Sequence, residues 1–279
     1  MRRNLVMLAA AACSMGAGGA LLHESTPPVA AAPAVPPQAQ AVPAAPPVQA
    51  RVVMQTARAV LSGVGVESAV EKTQVDKALD ALAPAVRKQS DPKALRMAFQ
   101  AYFNYKAANP RDVRKPYLYY VDYGLDSRTP RGYVFNMASL EVVDGPFTVA
   151  HGRGSAPPSS GVPVRFSNRQ GSNSTSLGLY LAQETYGFSG KAGGRRYTSV
   201  GLRMKGLSGR FNSAARARGV VAHGAPYVTA ARAGRSEGCP AMEQARARNL
   251  LPRIANGGLV FLFSPLDERW MESDPWATG

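Results

Sequence analysis

The chain has 279 residues, with 33 Lys and Arg against 18 Asp and Glu, a net charge of +15 and an apolar content of 45%. That length and apolar share imply one sizeable packed domain with appendages. No stretch is long and apolar enough to span a bilayer. The arginines are dispersed and no aromatic-interleaved module accompanies them, which excludes nucleic acid as an expected partner; the surplus charge favours anionic partners of another kind or serves solubility alone.

Residues 1–20 carry the parts of a secretory signal: Arg2 and Arg3, an apolar run from Leu5 to Ala12, then small residues up to Ala20. Cleavage near Ala20 removes two arginines and no acid, lowering +15 to +13. Cys13 offers a second option, an N-terminal lipid, although Ala10 stands where such sites usually have leucine. The Arg2-Arg3 pair lacks the rest of a twin-arginine pattern. Residues 21–54 form a tether. Positions 25–50 are almost entirely Pro, Ala, Val and Gln, cannot build a core, and reach on the order of 80 Å at about 3.1 Å per residue.

Residues 55–110 read as helical. Asp91 suits an N-cap and Pro92 a first helical position. Leu95, Ala98, Phe99, Tyr102 and Phe103 then share one face, and Asn109-Pro110 closes the segment. A weaker helical pattern covers Val70–Leu82. From 111 to 270 the period changes to that of strands. Expected strands are Leu118–Tyr123, Tyr133–Met137, Pro146–Ala150, Val162–Phe166, Leu177–Gln183, Tyr197–Met204, Gly219–His223 and Leu259–Phe263, with a helix over Pro240–Leu251. The class is mainly β (α+β), preceded by a small helical segment.

The chemistry centres on Cys239. The second cysteine, Cys13, lies in the signal, so an exported chain leaves Cys239 without an intramolecular partner. A thiol near pKa 8.5 needs a base or positive surroundings to attack a carbonyl. Of three histidines, His23 lies in the tether. His223 ends an apolar strand sixteen residues before Cys239 and is the better base; His151 also ends a strand and remains the other option. With Pro240 in a first helical turn, Cys239 sits at a helix N-terminus that favours the thiolate. The N–H groups of Cys239 and Gly238 are then candidate oxyanion donors, and Arg235 adds positive charge. An inert buried cysteine is the bland alternative. One Cys and two His without ligand spacing make a poor metal set, so neither metal nor cofactor is expected.

Residues 219–228, Gly-Val-Val-Ala-His-Gly-Ala-Pro-Tyr-Val, and 234–241, Gly-Arg-Ser-Glu-Gly-Cys-Pro-Ala, resemble the murein L,D-transpeptidase catalytic family, in its YkuD-like branch. Val149–Ser155 matches a first His-Gly segment. Phe166-Ser167-Asn168, Gly171-Ser172 and Ser176–Tyr180 match a Ser/Asn-rich block; Gly206-Leu207 and Asn212 follow in order. The resemblance runs from about Tyr117 to Phe263. It implies a β-sandwich catalytic domain, Cys239 as nucleophile and His223 as base. Its histidine is usually oriented by a backbone carbonyl. Ser236, Gly238 and Gly224 shape the site, and Arg235, His151, Arg153, Ser167 and Asn168 are candidates for binding substrate, with Arg165 and Arg203 as further arginines. The implied substrate is a peptidoglycan stem tetrapeptide, acylated on Cys239 with loss of its terminal D-Ala. The implied place is beyond the inner membrane, periplasmic or wall-associated. Glu237 and Ala241 depart from the broader family's His and Arg. The acceptor stays open between another stem, a protein, a D-amino acid and water. An L,D-carboxypeptidase, another wall-peptide cysteine hydrolase and a non-catalytic murein-binding protein are the alternatives. Papain-like enzymes place Cys before His and sortase-like enzymes space them wider, so both fit worse.

Overall fold

The structure, a computed structural model, describes residues 72–278. The signal, the tether, Cys13, His23 and the expected helical stretch before residue 72 lie outside the described residues. None of the described helices is long and apolar enough to cross a membrane.

Two helices lead in. Helix α1 (Gln74–Leu82) starts where the Thr73 hydroxyl accepts the Asp76 N–H at 3.1 Å. Helix α2 (Ala94–Ala108) follows a turn in which the Asp91 carboxylate accepts the Lys93 N–H at 2.7 Å, the bond an N-cap makes. The regular helix begins two residues later than the Asp-Pro pair implied. Its expected face is inside: Leu95, Ala98, Phe99 and Tyr102 are buried and Phe103 packs against the same core.

Strands dominate the rest, as expected. They are β1 (Tyr117–Asp122), β2 (Gly132–Asn136), β3 (Glu141–Phe147), β4 (His151–Gly152), β5 (Gly178–Ala192), β6 (Arg195–Gly206), β7 (Val221–Gly224), β8 (Val228–Thr229), β9 (Arg232–Ala233), β10 (Arg235–Ser236), β11 (Ala241–Met242) and β12 (Leu259–Phe263). Eight form one mixed sheet in the order β11-β7-β6-β5-β12-β1-β2-β3; β10 pairs with β4 and β8 with β9 in two ribbons. The parallel contacts are β1 on β12, β11 on β7 and β10 on β4. Central β12, Leu-Val-Phe-Leu-Phe, is buried at every position. An unbroken apolar run is what a strand covered on both faces needs. Helix α3 (Gln244–Ile254) and a short α4 (Glu268–Ser273) complete the chain, and both lead-in helices share one core with the sheet.

Three elements differ from the sequence pattern. Val162–Phe166 is no strand: the N–H groups of Val164 and Arg165 both donate to the Ser155 carbonyl, and Pro163 has none to give a ladder. The strand expected at Pro146–Ala150 runs instead over Glu141–Phe147. The helix expected from Pro240 starts at Gln244, because Ala241 and Met242 are taken up as β11 beside β7; Pro252 lies inside its last turn rather than ending it.

The β5–β6 hairpin positions the site. β12 pairs with β5 only over Gly178–Leu181, and β7 pairs with β6 only over Gly201–Arg203. The two long strands pair with each other out to Ala192–Arg195. Their distal half therefore overhangs the sheet. Gly193 and Gly194, at φ +55° and +77°, make the tight two-residue turn that two left-handed positions require.

Candidate active site

The turn that carries Cys239 is built by local hydrogen bonds. The Ser236 hydroxyl donates to the Cys239 carbonyl at 2.6 Å and accepts the Gly238 N–H at 3.2 Å. Gly238 has φ +119°, open to glycine and strained for other residues. A Cβ on Gly152 of β4 would meet the Gly238 Cα at 2.8 Å, so only glycine lets β4 lie against this turn. After Cys239 the chain enters β11, where Ala241 is the register partner of His223, and the His223 N–H donates to the Pro240 carbonyl at 3.3 Å. The expected helix N-terminus is absent at Cys239: α3 begins five residues later, and its macrodipole, which acts within the first turn, does not reach the sulfur. The Gly238 N–H, spent on Ser236, is not available to an oxyanion.

Cys239 and His223 line one cleft of about 610 Å³, together with Arg218, Phe188, Tyr197 and Tyr227. Phe188, on the overhanging hairpin, stacks on the His223 ring with centroids 4.1 Å apart and planes 19° apart. His223 is 2% exposed, and its Nδ1 faces the Gly224 carbonyl at 3.1 Å. That acceptor needs the proton on Nδ1, which leaves Nε2 as the basic nitrogen. Burial pulls the imidazole down to about 4, against the Gly224 carbonyl, which raises it. Burial likewise pushes the Cys239 thiol up to about 11, opposed by a hydrogen bond from the Val221 backbone and by the Arg218 charge. Cys239 retains partial exposure. Both shifts favour thiol and neutral imidazole over thiolate and imidazolium. The thiol Sγ stands 4.0 Å from the Gly219 carbonyl, its one hydrogen-bond acceptor among the described residues.

The other expected residues separate. Arg153 lines the cleft and pairs with Glu237 at 3.4 Å, both well exposed. Arg235 borders it, but its guanidinium is occupied by the carbonyls of Ala156, Pro157, Pro158 and Ser160, which makes it a clamp on the 156–160 loop rather than a free cation. His151 is fully buried and does not line the cleft; its Nδ1 accepts from Arg131 at 2.9 Å, and burial followed by the Arg131 charge pulls it down to about 3. It holds β4 rather than binding substrate at this site. Ser167 and Asn168 line a different hollow. Arg165 donates to the Gly154 carbonyl and Arg203 pairs with Glu184, both outside the cleft.

Arg218 escaped the sequence reading. Its guanidinium donates to the carbonyls of Ser167 at 2.7 Å and Ser174 at 2.8 Å, and reaches the hydroxyls of Ser172 and Ser176. It fixes the 167–176 segment while placing charge near Cys239. One signal pointed to it: an arginine immediately before the glycine that opens the His223 strand. Among the described residues no three His, Cys, Asp or Glu side chains stand close enough to share a metal ion.

No curated protein matches the chain. Among solved structures it is similar to an L,D-transpeptidase from Mycobacterium smegmatis (15% identity, 53% of this chain, 58% of that one, TM-score 0.33). It is also similar to one from Mycobacterium tuberculosis H37Rv (15%, 53% and 57%, 0.30) and one from Stackebrandtia nassauensis (14%, 75% and 88%, 0.33). It spans less than two-thirds of the two mycobacterial chains. A family model, the L,D-transpeptidase catalytic domain, matches residues 86–263, which take in the sheet, Cys239 and His223. The chain belongs to the L,D-transpeptidase catalytic domain family.

Proposed function

We propose that this protein is a peptidoglycan-modifying cysteine acyltransferase, an L,D-transpeptidase, with Cys239 as nucleophile and His223 as base. The observation that carries the reading is a single one: a free thiol and an imidazole whose Nδ1 is tied to a backbone carbonyl border one cleft. His223 Nε2 takes the thiol proton as Sγ attacks the carbonyl of the third stem residue. The C–N bond to the terminal D-Ala breaks, the departing amine takes that proton, and a thioester remains. An incoming amine or water, deprotonated by the same nitrogen, replaces sulfur and returns the proton to it. Because both groups rest neutral, proton transfer accompanies bond formation instead of preceding it. The Cys239 N–H is the remaining oxyanion donor on the turn, and Arg153, exposed beside the cleft and paired with Glu237, is a cation suited to a stem carboxylate. The work takes place beyond the inner membrane, after export directed by residues 1–20.

Mass analysis of products from purified tetrapeptide muropeptides tests this. A cross-linked dimer, a shortened monomer or an exchanged terminal residue names amine, water or D-amino acid as acceptor. Cys239→Ala abolishes all three on this reading. Conversion by that variant at the wild-type rate sinks the thiol mechanism, and sacculus binding by both forms without conversion favours a murein-binding protein.

A further inference from the structure

Ser167 and Asn168 line not the cysteine cleft but a trough of two adjoining hollows, about 370 and 770 Å³, Asn168 bordering the smaller. The hollows share Phe166, Ser167, Asp267 and Arg269. Around the smaller one stand Arg169, Arg210 and Arg269, and none of the three pairs with an acid among the described residues. Arg210 is held in place. The Arg210 guanidinium lies over the Phe211 ring at 4.9 Å and donates to the Ser273 hydroxyl at 3.1 Å. The Asn168 amide is fixed by the Arg210 carbonyl, the Ser213 hydroxyl and the Ala214 N–H. The larger hollow is different in character. Asp267 and Glu268 border it, and so do Val164 and Leu266, the large apolar side chains left exposed among the described residues at 46% and 50%.

The trough and the cysteine cleft are two sides of one wall. In the 167–176 segment Ser167, Ser172 and Ser174 line the trough, while Gln170, Gly171 and Asn173 line the cleft. The same alternation recurs at Gly154 and Arg153. Arg218 holds that wall from the cleft side through the Ser167 and Ser174 carbonyls.

We propose that the trough is a second binding cleft, for a zwitterionic acidic peptide. Its carboxylates sit on Arg169, Arg210 and Arg269, whose planar forks match carboxylates, and its amine faces Asp267 and Glu268. The two acids interrupt a set of four arginines, Arg165 on the larger hollow being the fourth, which disfavours a dense polyanion, and the exposed Val164 and Leu266 suit peptide side chains. On the reading of Cys239 given above, on which this assignment of the ligand rests, the peptide is the stem of a neighbouring strand, held while Cys239 acts on the first.

The test is amide NMR of the full chain carrying Cys239→Ala, titrated with a synthetic stem tetrapeptide bearing free carboxylates and a free amine. Saturable shifts are expected at Ser167–Arg169, Phe211 and Arg269. Affinity there should fall about tenfold in R169Q/R269Q and for the fully amidated peptide, a drop that a lost charge-assisted pair produces. R248Q, which removes a cation from the exposed face of α3, should leave it unchanged. Shifts confined to the cysteine cleft, an equal loss in R248Q, equal binding of the amidated peptide, or tighter binding of pyrophosphate than of the tetrapeptide each overturn the proposal. Acylation of wild-type Cys239 by a carbapenem separates the two readings. Acylation without trough binding removes only the second cleft; trough binding without acylation removes only the role of Cys239.

Discussion

Lowering the pH from 8 to 5 should remove about 4 kcal/mol of folding stability, through two histidines that the fold keeps neutral. His151 is fully buried against the Arg131 guanidinium and His223 is buried under Phe188. Burial holds them at about 3 and about 4, against 6.5 for the ordinary imidazole. As pH falls below 6.5 the unfolded chain takes up two protons that the folded chain refuses, so stability falls through that window until the folded values are reached. At pH 5 each imbalance amounts to about 1.5 pH units at 1.36 kcal/mol, or about 2 kcal/mol per histidine. The sum is a large share of the 5–15 kcal/mol that domains typically have. Asp122 works the other way: its carboxyl is raised, chiefly by burial, so the folded state binds its proton first and regains some stability at lower pH. Urea unfolding at pH 8, 6.5 and 5, read from the fluorescence of Trp270 and Trp276, measures the effect. H151Q and H223Q should each lose about half of the pH dependence, whatever their absolute stability. A folding free energy constant within 1 kcal/mol from pH 8 to 5, or an unchanged dependence in both variants, refutes the assignment of buried neutral histidines.

Acylation of Cys239 by a carbapenem should rise with pH through about 4, as His223 becomes a free base, and stay level to about 10, since the thiol ionises only near 11; a bell centred on neutral pH in a mass-spectrometric time course would instead indicate a thiolate–imidazolium pair. Ser236→Ala strips the Gly238 N–H and the Cys239 carbonyl of their partner, so thermal unfolding should show a loss of about 1–3 kcal/mol and acylation should slow at least tenfold. Ser236→Thr, which keeps the hydroxyl, should recover most of both. Arg218→Gln removes the charge that opposes burial at the sulfur; the thiolate absorbance of the variant should therefore titrate at higher pH than that of wild type, and an unmoved midpoint would show that Arg218 acts only on the 167–176 wall.

Strands with both faces covered were legible because their residues are apolar throughout, as in Leu259–Phe263, or nearly so, as in Leu118–Tyr123, where Asp122 alone interrupts. The helical face of Leu95, Ala98, Phe99 and Tyr102 was legible by its spacing. Val162–Phe166 misled for the converse reason: Val and Phe favour a strand, but a strand also needs a partner, and Ser155 draws its N–H groups elsewhere. The helix after Cys239 was misplaced because nothing in Pro-Ala-Met announces a two-residue parallel pairing with a strand seventeen residues upstream. At the site, Cys239 and His223 could be read from scarcity: two cysteines, one of them in the expected signal, and three histidines, one of them in the expected tether. Arginine is abundant, and which of many sits near the sulfur depends on tertiary contacts; Arg235 was favoured for nearness in sequence, whereas Arg218 is the one brought close.

The raised thiol has a consequence beyond turnover. Oxidants attack the thiolate, and with a pKa of about 11 only on the order of one sulfur in ten thousand is ionised at pH 7. Hydrogen peroxide should therefore convert Cys239 to its sulfenic acid more slowly than it oxidises free cysteine. The burial that keeps the Cys239 thiol protonated should thus also slow its loss to oxidants.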